Sequence, residues 1–312
     1  MIFALQLALP VALLVGIARF PPDGKLNFWI QVVATAFVLF AVALAGLWLA
    51  LPWWLANVYP IVFGVCTVLG GKRSPWTRGG PTGPLAWVHA VVFVAMGAFA
   101  ASVLVSALAG RFAPEGEPAE LAFPLGPGTY LVANGGSDLV VNSHQRMLQE
   151  SDPRLARYRG TAHGVDFVRL DGFGLTANGL APADPKEHHI FGREVKAPCE
   201  GEVVFAEDGH RDMPVGENDR DSLAGNHAII RCGRFEVVLA HFTPGSLLVK
   251  TGDAVKTGSA IAKVGNSGAS DAPHLHVHAQ KPGSPLAPMG GEPVAIRFEG
   301  RYLVRSDRFT PE

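Results

Sequence analysis

In Pro273-His274-Leu275-His276-Val277-His278, three histidines recur at every second position. On a β-strand, side chains at i and i+2 share a face and lie about 7 Å apart, so all three imidazoles would point one way. Gathered neutral imidazoles suit a divalent metal. Zn²⁺ takes histidine nitrogens together with a carboxylate and leaves one position open for water. It lowers the pKa of that water toward neutrality and polarises an amide carbonyl. A further histidine over the site then accepts the proton or stabilises an oxyanion. A solvent-facing strand is the plainer alternative, but three histidines at one period, beside Gly265-Asn266-Ser267-Gly268, make coincidence a poor explanation.

The elements that must position these residues are strands. Beyond residue 120 the pattern is one of short apolar runs punctuated by glycine: TYLVANGG, GVDFVRL, EVKAP, GEVVFA, HAIIRC, FEVVLAHF, AIAKVG and HLHVHAQ. These have strand lengths, β-branched enrichment and turn signals between them. Helical periodicity is nearly absent apart from a short helix around Gln145–Arg157. Gly172–Glu187 and His210–Leu223 are polar, glycine- and proline-rich insertions, expected as surface loops near a site. The prediction is an all-β domain over 121–312, preceded by a Pro/Glu-rich linker at 111–120.

The amino-terminal third lives in a different solvent. The chain of 312 residues is 48% apolar and 17% charged, with mean hydropathy +0.23, whereas about 25% charged is usual. Residues 1–110 hold only Arg19, Lys25, Lys72, Arg73, Arg78 and Asp23 as charged residues, and ten of the eleven histidines lie beyond them. Four apolar stretches can be read there: Met1–Ala18, two within Leu26–Gly71 divided at Leu51-Pro52-Trp53-Trp54, and Leu85–Gly110. They predict four transmembrane helices over 1–110. Basic residues follow the first and third stretches and are missing after the second. By the positive-inside rule both the amino terminus and residues 111–312 then lie outside the cytoplasmic membrane. The first stretch reads as a retained helix rather than a cleaved signal peptide. His89, without an acidic partner in the other spans, reads as a packing or interfacial residue. The outer part is net acidic, which leaves no basic excess for nucleic acid.

The motifs PHLHVHAQ, AHFTPGSLLVKTGDAVKTGSAIAKVGNSG and FGREVKAPCEGEVVFAEDG together resemble the lysostaphin/LytM-type zinc metalloendopeptidases, over roughly residues 160–283. The resemblance implies a LytM-type (duplicated-hybrid-motif-like) β fold, a Zn²⁺ cofactor, and cleavage of peptide bonds in peptidoglycan. It implies His274 and His241 as catalytic, and His276 and Asp166 (in HGVDF) as metal ligands. The TGDAVKTGSAIAKVG hairpin also looks like a lipoyl or biotinyl carrier, but a carrier has no use for the paired histidines.

The pattern breaks at one ligand. The family's first zinc-binding histidine should stand four residues before the aspartate, where this chain has Ala162. His163 could replace it if Gly164 permitted a bulge, and His144 in VVNSHQ is the second choice. His188, His189 and His227 read as surface or hydrogen-bonded histidines that could reach the groove. A third ligand supplied unconventionally means a peptidase. Without one, the domain would be a degenerate relative that binds cell wall or regulates a cell-wall amidase. Cys199 and Cys232 could pair in an oxidising compartment, and free buried thiols stay open at this point. Cys66 reads as inert packing.

Overall fold

The computed structural model describes residues 3–74, 81, 83–149, 153–219 and 221–312. Arg78, one of the basic residues that orient the third loop, lies outside them. The chain divides into two compact units, Met1–Leu108 and Ala109–Glu312.

The first unit is helical: α1 (Leu9–Arg19, entered through a π-helical turn at Ala4–Ala8), α2 (Lys25–Ala45), α3 (Leu55–Arg73) and α4 (Pro84–Ala109). Pro84 opens α4, where its missing N–H costs no hydrogen bond. The Leu51-Pro52-Trp53-Trp54 segment falls between α2 and α3, as expected for a chain that cannot continue a helix through proline. By length and composition α2, α3 and α4 can cross a membrane, at 21, 19 and 26 residues. The first apolar helix, Ala4–Arg19, falls short of the roughly 20 residues a crossing needs. So the four expected apolar helices are present, and three of them reach spanning length among the described residues. Packing between α2 and α4 depends on small residues: a Cβ at Gly97 would lie 3.1 Å from the Ala34 Cβ. His89 packs on Phe93 one turn along α4, with ring centroids 4.5 Å apart.

The second unit is built of strands: β1 (Ala119–Leu121), β2 (Thr129–Asn134), β3 (Val165–Leu170), β4 (Glu194–Lys196), β5 (Gly201–Glu207), β6 (His227–Cys232), β7 (Phe235–Ala240), β8 (Ala254–Val255), β9 (Ala260–Lys263), β10 (Leu275–Gln280), β11 (Pro293–Val294), β12 (Ile296–Phe298) and β13 (Arg308–Phe309). The main sheet runs β13-β2-β3-β10-β7-β6-β5-β8, with β11 paired to the end of β10; β4 pairs with β9, and β1 with β12. All eight apolar runs read from the sequence are strands. The expected linker is shorter than 111–120, because Ala119 and Glu120 already pair in parallel with β12. Around 145–157 the chain forms a 3₁₀ segment at Ser143–Leu148 and a single helical turn at Pro153–Ala156.

Strand alternation explains the layering. On β10, Leu275, Val277 and Ala279 point into the main core with Val237, Leu239, Ala228, Ile230, Val165 and Phe167. Phe123, Tyr130, Phe167, Phe298 and Phe309 form an aromatic cluster on that same side, with Phe123 5.0 Å from Phe167 in an edge arrangement. The alternate residues, His276 and His278, occupy the opposite face with Val238 and Ala240 of β7. Cys199 and Cys232 are joined in a disulfide across the β5–β6 pair, and Cys66 is a free thiol.

Candidate active site

Antiparallel register sets the first two groups side by side. On β3 and β10, Asp166 stands directly opposite His276, although 110 residues separate them. His276 Nδ1 lies 2.8 Å from Asp166 Oδ1. Its other nitrogen, Nε2, lies 2.9 Å from His278 Nδ1. The ring can take this position because residue 164 is glycine: a Cβ there would come within 2.5 Å of His276 Cε1. Gly164 therefore makes room for His276 instead of providing the bulge that would have brought in His163.

His144 supplies the third group, from the 3₁₀ segment. Asn142 positions it. The Asn142 amide donates to the carbonyls of Gly136, Gly164 and Ala162, which fixes which way round the amide lies. Its oxygen then accepts from the His144 backbone N–H at 3.2 Å and from His144 Nδ1 at 2.9 Å. With the proton on Nδ1, the Nε2 lone pair is free, and it faces Asp166 Oδ2 at 3.5 Å. His144, Asp166 and His276 each bring a ligand atom within 4.8 Å of the others. His163 is not one of the three. Its Nδ1 accepts from Gln145 Nε2 at 3.0 Å, and burial keeps the ring neutral by lowering its pKa.

Two more histidines close the group. His241 follows β7 in a left-handed backbone conformation (φ +68°) that is unusual for a residue other than glycine. Its Nδ1 donates to Ser267 O at 2.8 Å. His274 precedes β10 and donates from Nδ1 to Ala272 O at 2.8 Å, with Ser270 Oγ at 3.1 Å. The two rings lie 4.6 Å apart, and His274 Nε2 is 3.6 Å from Asp166 Oδ1. In both rings a backbone carbonyl holds the Nδ1 proton, which leaves Nε2 as the available nitrogen.

Burial keeps His144 and His241 neutral, while Asp166 is held in its charged form. Burial lowers His144 to about 4, against the pull of Asp166 in the other direction. Burial, together with His274 and His276, holds His241 well below the usual imidazole range. Burial works against an ionised Asp166, but the imidazoles of His144, His274 and His276 outweigh it and hold the carboxyl well below its ordinary value. Neutral nitrogens and an ionised oxygen are what a metal requires of its ligands.

The donor set fits zinc. Two imidazole nitrogens and one carboxylate oxygen form the N/O set of catalytic zinc sites, in which ligand atoms about 2.1 Å from a tetrahedral ion lie roughly 3.4 Å from each other. The separation of His144 Nε2 and Asp166 Oδ2 matches that spacing. The outer contacts match as well, since each imidazole that could ligate has its second nitrogen engaged, by Asn142 or by His278.

A cavity of about 130 Å³ adjoins these groups, lined by His241 and His276 and by Met147, Tyr158, Val238 and Met289. Leu223, at the end of the second insertion, also borders it. The other histidines stand apart from the trio. His189 Nε2 lies 3.8 Å from Asp171 Oδ2, and His188 is buried in the same loop. His227 pairs across strands with Ala240, the residue that also opposes His276, and its ring stacks on Phe205. Sequence reasoning counted His278 among the gathered imidazoles without giving it a place in the site, and assigned no role to Asn142 or Asn134. Asn142 shares the NSH stretch with His144, and His278 is the third histidine of the alternating run.

Residues 188–288 match the sequence profile of Peptidase family M23. Asp166 and His144 lie upstream of the matched segment, whereas His241, His274 and His276 lie within it. No curated protein matches the chain. Among solved structures, the catalytic domain of the M23 protein EnpA from Enterococcus faecalis (A109H mutant) is 21% identical, over 38% of this chain and 68% of that one, with a TM-score of 0.26. The catalytic domain of lysostaphin from Staphylococcus simulans is 23% identical, over 41% and 74%, with a TM-score of 0.26. A further structure of lysostaphin from the same organism is 26% identical, over 38% and 35%, with a TM-score of 0.24. The chain thus spans between about a third and three quarters of the solved chains named here. It carries a Peptidase family M23 domain at residues 188–288, in line with the lysostaphin/LytM-type resemblance of its motifs.

Proposed function

We propose that the chain is a membrane-anchored zinc metalloendopeptidase that cleaves peptide bonds of peptidoglycan outside the cytoplasmic membrane. The observation that carries this reading is the convergence of His144, Asp166 and His276 on one point, with His241 and His274 beside it. His144 through Nε2, Asp166 through its carboxylate and His276 through Nδ1 would hold the ion. When His276 Nδ1 ligates, its ring proton resides on Nε2, where His278 Nδ1 accepts it. A zinc ion held there supplies Lewis acidity toward an amide carbonyl and a water. His241 Nε2 would take up a proton of the attacking water while Nδ1 stays on Ser267 O, and would pass that proton to the departing amine as the C–N bond breaks. His274, anchored the same way through Nδ1, would donate from Nε2 toward the oxygen that gains charge in its doubly protonated form. The distribution of basic residues around the apolar helices supports an extracytoplasmic domain, the compartment in which peptidoglycan is found.

The test uses the full-length chain. About one zinc per chain, lost in His276→Ala, together with new amino termini released from purified sacculi, is the expected result. One feature favours a non-hydrolysing wall-binding domain instead, namely Ala162 where the family pattern has a ligand histidine. Sub-stoichiometric zinc that His276→Ala leaves unchanged, with sacculi bound and uncut, would decide for that alternative.

A further inference from the structure

A buried arginine beyond the matched segment is hydrogen-bonded to a residue that touches Asp166. β2 carries a bulge between Val132 and Asn134, which sets Asn134 opposite Asp166 and releases the Ala133 carbonyl from the ladder. The segment before β13 passes this bulge, and the Arg305 N–H donates to Gly135 O at 3.2 Å. The Arg305 side chain is buried, at 7% exposure. Its guanidinium donates to three oxygens at once: Nε to Ala133 O at 2.9 Å, one terminal nitrogen to Val140 O at 2.8 Å, and the other to Asn134 Oδ1 at 2.5 Å.

Arginine can only donate. The Asn134 oxygen must therefore face Arg305, and the amide nitrogen must face the other way. There it donates to Asp166 Oδ2 at 2.8 Å. Ser143, next to His144, also donates to Asn134 Oδ1 from its hydroxyl at 3.2 Å. One amide thus ties the carboxylate ligand on β3 to the segment that carries the imidazole ligand, and Arg305 determines how that amide is turned.

We propose that Arg305 and Asn134 are positioning residues of the metal centre, acting in series on Asp166, so that the carboxy-terminal segment is part of the site. Asn134 occupies a lone pair on Oδ2 and holds the carboxylate plane against rotation. Arg305 prevents the amide from flipping, which would turn its oxygen toward the carboxylate. This inference rests on the zinc-centre reading above. Lysine cannot replace arginine here, because a single ammonium group cannot span three acceptors in different directions.

The test is a double-mutant cycle on zinc affinity, measured by chelator competition in the full-length protein, with thermal unfolding of the metal-free chain as a control. Arg305→Gln and Asn134→Leu should each weaken zinc binding about 10- to 100-fold, the range for lost outer contacts. The double variant should bind no more weakly than Asn134→Leu, since both act through one hydrogen bond to Asp166. Arg305→Lys should lose affinity as Arg305→Gln does, and it carries the test if Arg305→Gln does not fold. Affinity within twofold of the parent in Arg305→Lys and Asn134→Leu, or losses that simply add, would overturn the relay and leave the zinc centre standing. A parent chain that holds no zinc would overturn both.

Discussion

The candidate metal site and one face of α2 treat buried polar side chains in opposite ways, although elsewhere the β unit also leaves buried atoms such as Gln280 Oε1 and Tyr302 OH without a partner among the described residues. In the β unit, Asn142, Asn134, Arg305 and Asp166 are all buried or nearly so, and each is tied to named partners that fix its orientation. In the helical unit, Asn27, Gln31 and Thr35 recur every fourth residue on one face of α2 and are buried at 1%, 3% and 0% exposure. Asn27 donates to Ala86 O, yet Asn27 Oδ1, Gln31 Oε1 and Thr35 Oγ1 have no hydrogen-bond partner among the described residues. The difference separates two uses of polarity. A catalytic site needs each donor and acceptor assigned, because orientation decides which nitrogen remains free for the metal. A seam along an apolar helix tolerates interchangeable or water-supplied partners, which makes contact between helices possible without specifying one geometry.

The strongest way to break this contrast is to remove a ligand. His276→Ala or Asp166→Ala should abolish stoichiometric zinc and lower hydrolysis of sacculi by at least about 10³-fold, because every proposed catalytic contribution passes through the metal. Zinc analysis and amino-terminus release check this directly. His241→Ala and His274→Ala should behave differently: zinc stays, and the rate falls about 10²- to 10⁴-fold, the usual contribution of a positioned acid or base. His163→Ala should leave both zinc and rate within about threefold of the parent. A loss of zinc in that variant would return the third ligand to the position read first from the sequence.

A pH titration sharpens the same contrast. The unfolded chain binds protons on His144 near pH 6.5, whereas the folded chain holds it at about 4. Between those values the unfolded state carries more protons, so stability is full above pH 6.5 and declines as pH falls toward 4. At pH 5, His144 alone costs about 2 kcal/mol relative to pH 7.5. His163, His227, His241 and His278 shift in the same direction through burial. The metal-free β unit should therefore melt several degrees lower at pH 5 than at pH 7.5, followed by near-ultraviolet circular dichroism. An equal melting temperature at both values would mean that these imidazoles are not buried as described.

Much of the site was legible because β-strands have a strict period. Alternation in HLHVHAQ placed the histidines together on one strand face without any tertiary information, and the structure sends Leu275 and Val277 to the core on the other. The strand pattern likewise located all eight principal runs, but not two-residue pairings such as β8, β11 and β13, which carry too little local signal. The choice between His144 and His163 was not legible. It depends on Asn142 finding carbonyls at residues 136, 162 and 164, and on Gly164 making room for a ring from residue 276. Asn134 and Arg305 belong to the same class: the contact that gives them meaning spans 171 residues of chain.

The smallest effect belongs to the seam. Thr35 is fully buried, and its hydroxyl has no partner among the described residues. Valine has nearly the same shape, so Thr35→Val removes an uncompensated polar atom without opening a cavity. Where a hydroxyl makes one serviceable hydrogen bond in a helical bundle, removal costs about 0.6 kcal/mol; where it makes none, removal is neutral or stabilising. Thermal unfolding in detergent should place Thr35→Val at or slightly above the parent, with zinc affinity and hydrolysis unchanged. A destabilisation of more than about 1 kcal/mol would mean that Thr35 has a specific partner after all. The α2 face would then resemble the cluster of Asn142, Asn134 and Arg305 in having its polar groups individually assigned, and the division between a specified site and a tolerant seam would no longer hold.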